Sequence, residues 1–344
     1  MRLKTGLAAA VAATALAAGA FQAAAQEVKL RVGDSFPVGH YIPEKITKNW
    51  MNLVTEATAG KVNFEYFPAE QMGKAKDLLA LTQDGVLDIG YVGASYVSDK
   101  LPLSSVGELP EAFKTSCQGT LAFWDIARPG GALDKAEFAP AGVRVLMALV
   151  LPPYQVFSST REITGLDSLK GLKLRTTGGG KDLATVRVGA IPVQIPAPES
   201  REALSRGTID GLLFPHSSIT PYGVTPHLKY ATQDLNFGSF VVTYVISQQG
   251  WDALSPEIQA AMSEAGDKAT RQGCEIVEKL DVQDKEKIAS EGVTFVSLPE
   301  ADAAKVGELM STVSGEWAAD LDKRGKAGTE ILEAFRAALA KLPQ

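Results

Sequence analysis

The chain has 344 residues, with 34 Lys and Arg against 40 Asp and Glu, for a net charge of −6. An acidic chain carries no electrostatic footprint for nucleic acid, which excludes that class of partner. Hydrophobic residues make up 45% and cysteines number two, so a packed core is expected and a disulfide-built scaffold is excluded.

Arg2 and Lys4 precede an apolar run from Leu7 to Ala20, and Ala23-Ala24-Ala25 supplies an A-x-A cleavage site before Gln26. This is the layout of a secretory signal peptide over residues 1–25, the run being too short to span a bilayer comfortably. No later segment approaches eighteen uninterrupted apolar residues, so the chain is not expected to span a membrane. Cleavage leaves 319 residues and, with Arg2 and Lys4 gone and no acid before Glu27, a net charge of −8. That length calls for two lobes rather than one core. Cys117 and Cys274 leave two states open, one disulfide or two thiols, since sequence alone places no Cα atoms.

Val28 to Val32 reads as a short strand. Pro43 to Thr58 reads as a helix, with Ile46, Trp50, Leu53, Val54 and Ala57 on one face and Gly60 as its stop. Strands follow at Val62–Phe67 and Leu87–Val92, with a helix between them at Lys74–Gln83. Strands alternating with helices predict a largely parallel sheet covered on both faces, an α/β fold. Further on, Leu172 and Leu174 alternate with Lys173 and Arg175, the period of a half-buried strand. Gly178, Gly179 and Gly180 break it, and Leu183, Val186 and Val188 begin a helical stripe. From Pro256 to about Ser290 a long amphipathic helix is predicted, its stripe running through Ile258, Met262, Ala265, Ala269, Ile276 and Leu280. Gly266, Gly273 and Gly292 are expected to weaken or end it.

Little in this chain marks an enzyme. His40, His216 and His227 show no metal-ligand spacing with each other or with the cysteines, and no G-x-S-x-G elbow occurs. The turn Gly178-Gly179-Gly180-Lys181-Asp182 lacks both the Walker A spacing and the Ser or Thr after Lys, and reads as a tight turn that needs positive φ. No cofactor and no metal are expected; an exported α/β enzyme with an unmarked site stays as the alternative from another class. Arg175 is the informative residue. It stands at a strand's carboxyl end, where open α/β sheets bind ligands, and its planar fork suits a carboxylate. An ordinary surface ion pair is the plain alternative.

Several motifs converge on one family. They are Asp167-Ser168-Leu169-Lys170-Gly171-Leu172-Lys173-Leu174-Arg175 and Ala203-Leu204-Ser205-Arg206-Gly207-Thr208-Ile209-Asp210-Gly211, backed by Glu56 to Val62, Gln71-Met72-Gly73, Gly85 to Gly90 and Trp251 to Gln259. Over nearly the full length the chain resembles solute-binding proteins of tripartite ATP-independent periplasmic (TRAP) transporters. The resemblance implies a two-lobed periplasmic-binding-protein-like fold with a hinge and a long helix spanning both lobes. It implies a periplasmic receptor that captures a small molecule and delivers it to TRAP membrane permease subunits, with Arg175 holding the ligand carboxylate. Lobe 1 is expected over 26–150 plus about 237–281, and lobe 2 over about 151–236 plus 282–344.

Three positions depart from the family pattern. Tyr154 replaces a frequent second arginine, Phe214 a polar Asn, and Ala197 a usual Phe. The changes favour a monocarboxylate with an aromatic or otherwise apolar body over dicarboxylates and sialic-acid-like polyols, with Tyr154 and Phe214 as stacking candidates. Phe36, His40, Tyr96 and Phe237 are further candidates for the pocket wall. Asp34, in the loop after the first strand, leaves open an amine or amino acid ligand, or a plain turn-capping role.

Overall fold

The computed structural model describes residues 27–343 apart from Ala112; the expected signal peptide lies outside the described residues. In chain order the strands are β1 (Val28–Gly33), β2 (Val62–Phe67), β3 (Ile89–Gly93), β4 (Val143–Val150), β5 (Gln155–Ser158), β6 (Lys173–Thr176), β7 (Ile191–Gln194), β8 (Gly211–Phe214), β9 (Tyr230–Thr232), β10 (Val241–Ser247) and β11 (Thr294–Val296). They form two sheets, ordered β2-β1-β3-β10-β4 and β11-β9-β5-β8-β6-β7. Each sheet holds a parallel set, β1 with β2 and β3 in the first, β6 with β7 and β8 in the second. The expectation of a largely parallel sheet needs correcting, because β10 runs antiparallel to β3 and β4, and β5 antiparallel to β8 and β9. The cause is the crossover. Here the chain enters each sheet once, by β10 and by β5, against the direction of its βαβ units.

The two crossings lie side by side. The segment between β4 and β5 pairs with the segment between β9 and β10: Leu151 N–H donates to Phe240 O at 2.9 Å, Tyr154 N–H to Gly238 O at 2.8 Å and Phe237 N–H to Tyr154 O at 3.2 Å. A two-stranded ribbon thus joins the sheets, narrow enough to bend and paired enough to keep register.

A third connection is the helix Pro256–Ser290, unbroken over 35 residues. It packs on β4 and on the helices Lys48–Ala57 and Ser116–Ala127 at one end, and on the short helix His216–Ile219 towards the other. Gly266 and Gly273 do not weaken it, contrary to expectation. A Cβ at Gly266 would lie 1.9 Å from Leu146 O, and one at Gly273 would lie 2.8 Å from Leu149 Cδ2. Both glycines let the helix sit directly on β4, and that packing offsets their poor propensity of about 1 kcal/mol each. Among the last helices, Val313–Lys323 and Gly328–Leu339 bury Trp317, Leu321, Ile331, Leu332 and Phe335 in one core with Phe113 and Phe123. These two helices therefore share a core with the first sheet's side, while β11 pairs with β9 in the second sheet.

Cys117 and Cys274 are joined in a disulfide, with Cα atoms 4.8 Å apart and a sequence separation of 157. It staples the helix Ser116–Ala127 to the long helix. Replacing both cysteines by alanine is expected to cost about 2–5 kcal/mol, since the open chain regains the entropy of a very long loop. A denaturant melt of the double variant reads this directly, and a midpoint equal to wild type would remove the staple from the stability account.

Candidate ligand-binding site

β6 places Arg175 one strand in from the edge of the second sheet, opposite Val193 of β7 and Leu212 of β8. The residue is 1% exposed. Its Nε donates to Ile195 O at 2.7 Å, Nη1 makes a long contact to Leu213 O at 3.4 Å, and Nη2 donates to Tyr96 Oη at 3.2 Å. Cζ stands 4.5 Å from the centroid of Phe214. Three of five N–H groups are thereby used, leaving one on each terminal nitrogen, the pair that grips a carboxylate bidentately. Among the described residues no acidic side chain forms an ion pair with Arg175. A buried charge without a partner is costly, so the plain reading as a surface ion pair does not fit this geometry.

Tyr96 reaches Arg175 from the other side. It sits in the one-turn helix Ala94–Val97 that follows β3, and its hydroxyl oxygen accepts from Ala197 N at 2.9 Å as well as from Arg175. With both lone pairs engaged, the Tyr96 proton is left to donate elsewhere, beside the guanidinium. Burial raises the pKa of Tyr96, and those of Tyr91, Tyr154 and Tyr222 well above the ordinary value, so all four remain neutral O–H groups.

Aromatic rings form the walls. Tyr154 meets Phe214 edge-on at 6.3 Å, Phe214 meets Tyr222 at 5.6 Å, and Tyr96 meets Phe240 at 5.1 Å. A Cβ at Gly93 would come within 2.5–2.9 Å of Phe240, Tyr91 Oη and Tyr96, so three aromatics close in over one glycine. From the loop after β1, Phe36 stacks on His40 at 4.4 Å and touches Tyr91 at 4.9 Å, while His40 meets Tyr222 at 5.4 Å. Tyr222 is where the wall from the first sheet joins the wall from the second. Phe237, fully buried, meets Tyr154 through its backbone in the ribbon.

Arg175, Tyr96, Tyr154, Phe214, Phe36 and His40 are thus brought into one continuous cluster. Asp34 is elsewhere engaged. Its Oδ1 accepts from Phe36 N at 3.0 Å, and its Oδ2 accepts from Tyr66 Oη at 2.9 Å and from Tyr244 Oη. A carboxylate tied to three donors has little left for an amine, and its visible work is to hold the loop that carries Phe36. Burial raises its pKa to about 6. The folded protein therefore keeps a proton that the unfolded chain releases near pH 4, and stability from this group is full below that and falls as pH rises through 6. Asp34→Asn cannot ionise, so between pH 4 and 7 its stability should drop by about 3 kcal/mol less than wild type's. Urea melts across that range test the sign, and parallel curves would show that Asp34 does not titrate there. Glu137 and Asp284, also raised by burial, are present in both proteins and cancel.

Sequence reasoning missed a second cation. Gly178 and Gly179 have φ of +97° and +60°, as a tight turn requires, and the turn delivers Lys181 into the interior. Lys181 Nζ donates to Glu108 Oε2 at 2.5 Å and to Ser239 O at 2.6 Å, and lies 5.6 Å from the ring centroids of Tyr154 and Phe240. Glu108 also accepts from Ser95 Oγ, Ser95 N and Val241 N. Burial lowers the Lys181 pKa, opposed by the Glu108 charge. The pair is internally neutral and ties the turn after β6 to the first sheet's side, just behind Tyr96. Tyr91 and Tyr222 were missed as well, and no signal marks them, since a tyrosine on a buried strand or after a proline looks like core.

No group of three or more His, Cys, Asp or Glu among the described residues could hold a metal, and no helix among them is long and apolar enough to cross a membrane. Residues 33–320 match the family described as bacterial extracellular solute-binding protein, family 7 (DctP). The chain is 27% identical over 304 residues to the outer membrane transporter protein TsaT of Comamonas testosteroni, covering 86% of this chain and 87% of that one. Its fold resembles a marine metagenome TRAP solute-binding protein specific for aromatic acid ligands, from an unidentified microbe and solved with 3-hydroxybenzoate (TM-score 0.85, 21% identity, 93% of this chain and 100% of that one). It also resembles a TRAP solute-binding protein of Rhodoferax ferrireducens solved with copurified benzoate (TM-score 0.81, 23% identity, 91% and 98%). A match over most of the chain, on two sheets joined by a ribbon and a shared helix, places it in family 7 of the bacterial extracellular solute-binding proteins, the periplasmic receptors that carry a small molecule to a TRAP permease and are not enzymes.

Proposed function

We propose that this receptor captures an aromatic or otherwise apolar monocarboxylate and delivers it to its permease. One observation carries the reading: Arg175 is a fully buried guanidinium with two unused N–H groups and no acidic partner among the described residues. In this reading the ligand carboxylate takes the Arg175 fork and the Tyr96 proton, and its body lies against Phe214, Tyr154 and Phe240. Phe36 and His40 wall the far side, Phe237 shapes the ribbon behind Tyr154, and Asp34 braces the Phe36 loop. The aromatic acids held by the two structural neighbours support the same ligand class.

Dicarboxylates are disfavoured by charge. The other buried cation, Lys181, is already neutralised by Glu108, so a second carboxylate would be buried unpaired at a cost of several kcal/mol. Burying another methylene or two recovers only about 0.8 kcal/mol each. Competition calorimetry on the mature protein should show benzoate-type acids binding at least about tenfold more tightly than succinate or malate. Tighter binding of the dicarboxylates would mean that Lys181 can be released from Glu108, and the monocarboxylate reading would fall.

A further inference from the structure

The imidazole of His40 is 1% exposed, stacked between Phe36 at 4.4 Å and Tyr41 at 4.5 Å. Its Nδ1 accepts from Ile42 N at 3.2 Å, a contact made with its own loop. Burial lowers its pKa to about 3, so the ring is neutral. A neutral imidazole whose Nδ1 accepts must carry its proton on Nε2. That atom is enclosed, and it meets no hydrogen-bond partner. Buried polar hydrogens are rarely left so, because the desolvation they suffer is not returned. His216 Nε2 is also without a partner, but its ring lies between Phe157 and Phe295 and is anchored to Asp281, away from the cleft.

The position of His40 puts its free donor at one end of the aromatic cluster. The ring meets Tyr222 edge-on, Tyr222 meets Phe214, and Phe214 lies under the Arg175 guanidinium. One end of the aromatic cluster thus offers a cationic fork, and the other a single neutral N–H held at fixed orientation by two stacked rings. We infer that His40 Nε2–H recognises an oxygen acceptor, a hydroxyl, ether or carbonyl, carried by the ligand at the end away from its carboxylate. The receptor would then select oxygenated aromatic monocarboxylates over their unsubstituted parents. This rests on the reading of Arg175 as the carboxylate clamp.

Calorimetry with matched pairs tests it: benzoate against 3- and 4-hydroxybenzoate, and hexanoate against 6-hydroxyhexanoate, on the mature wild type, His40→Phe and His40→Gln. Wild type is expected to favour at least one oxygenated member by about tenfold, the worth of one good hydrogen bond. His40→Phe keeps the stack and loses the donor, so it should bring the ratio of the two affinities to about one, whatever its effect on either acid alone. His40→Gln retains a donor and should keep part of the preference. In 15N-labelled wild type, the imidazole Nε2–H resonance should move with the oxygenated acid and stay with its parent, a readout that needs no variant. No preference in any pair, a preference that survives His40→Phe, or equal weakening of both members would overturn the inference while leaving the carboxylate clamp standing. If only the aliphatic pair binds, the aromatic reading fails and His40 is judged on that pair. If wild type binds no acid, the clamp reading fails and the inference falls with it.

Discussion

Arg175→Ala is expected to weaken carboxylate binding about 10²–10³-fold, the cost of leaving the ligand's charge buried without its partner. The same substitution should leave the ligand-free protein within about 1 kcal/mol of wild type, because it also removes a charge that no described acid offsets. That combination is unusual for a fully buried residue, whose loss ordinarily destabilises through the space it vacates. Arg175→Lys should not rescue binding, since an ammonium cannot hold Ile195 O, Tyr96 Oη and two carboxylate oxygens in one plane. Titration calorimetry and a urea melt of both variants are sufficient. Retained affinity within a few fold would remove Arg175 from the site, and a loss of several kcal/mol in the melt would make it a structural residue instead.

The second large effect concerns Glu108. Glu108→Gln leaves Lys181 deeply buried with a neutral amide in place of its counter-charge. Breaking a buried pair from one side costs about 3–5 kcal/mol. The pair bridges the cleft, so the protein has two ways to respond, and both are measurable. Either the unfolding free energy falls by that amount, or the cleft opens to hydrate Lys181 and small-angle scattering reports a larger radius of gyration. Lys181→Met with Glu108→Gln should recover most of the loss, because replacing both partners with groups of similar shape leaves no stranded charge. A single Glu108→Gln variant with unchanged stability and unchanged dimensions would show that the pair contributes nothing.

Arg175 was legible in the sequence because its strand is short, ends in glycines and carries a family motif, so its place at a carboxyl end follows from local pattern alone. The rings around it were legible only in part. Seven of the eight tyrosines join the cleft or the Asp34 network, yet they come from strands, turns and loops from Tyr41 to Tyr244 with no period to betray them. Lys181 and Glu108, 73 positions apart, are an ion pair only after the two sheets are laid against each other. The antiparallel strands β5 and β10 were hidden for a related reason: strand direction within a sheet is decided by where a crossover re-enters, and no local residue pattern encodes that. The long helix was found, but its glycines were misjudged, because their close approach to β4 is a tertiary fact.

The long helix is gripped twice, by the disulfide at Cys274 and by Asp281, which accepts from Ser217 N at 2.8 Å and contacts His216 Nδ1 at 2.9 Å. From 274 to 281 is two turns, about 10 Å of helix. The part of this helix before Cys274 packs against the first sheet's side, and at Asp281 it is tied to the second's. Whatever angle the two halves of the molecule open through, this short length must absorb it as torsion and bending, much as a leaf spring clamped at two points flexes only between the clamps. A spring that short is stiff. It would keep the opening angle small, and it would turn a small rotation at its centre into a larger displacement at the outer rims of both halves, the distance over which a membrane partner could tell a loaded receptor from an empty one.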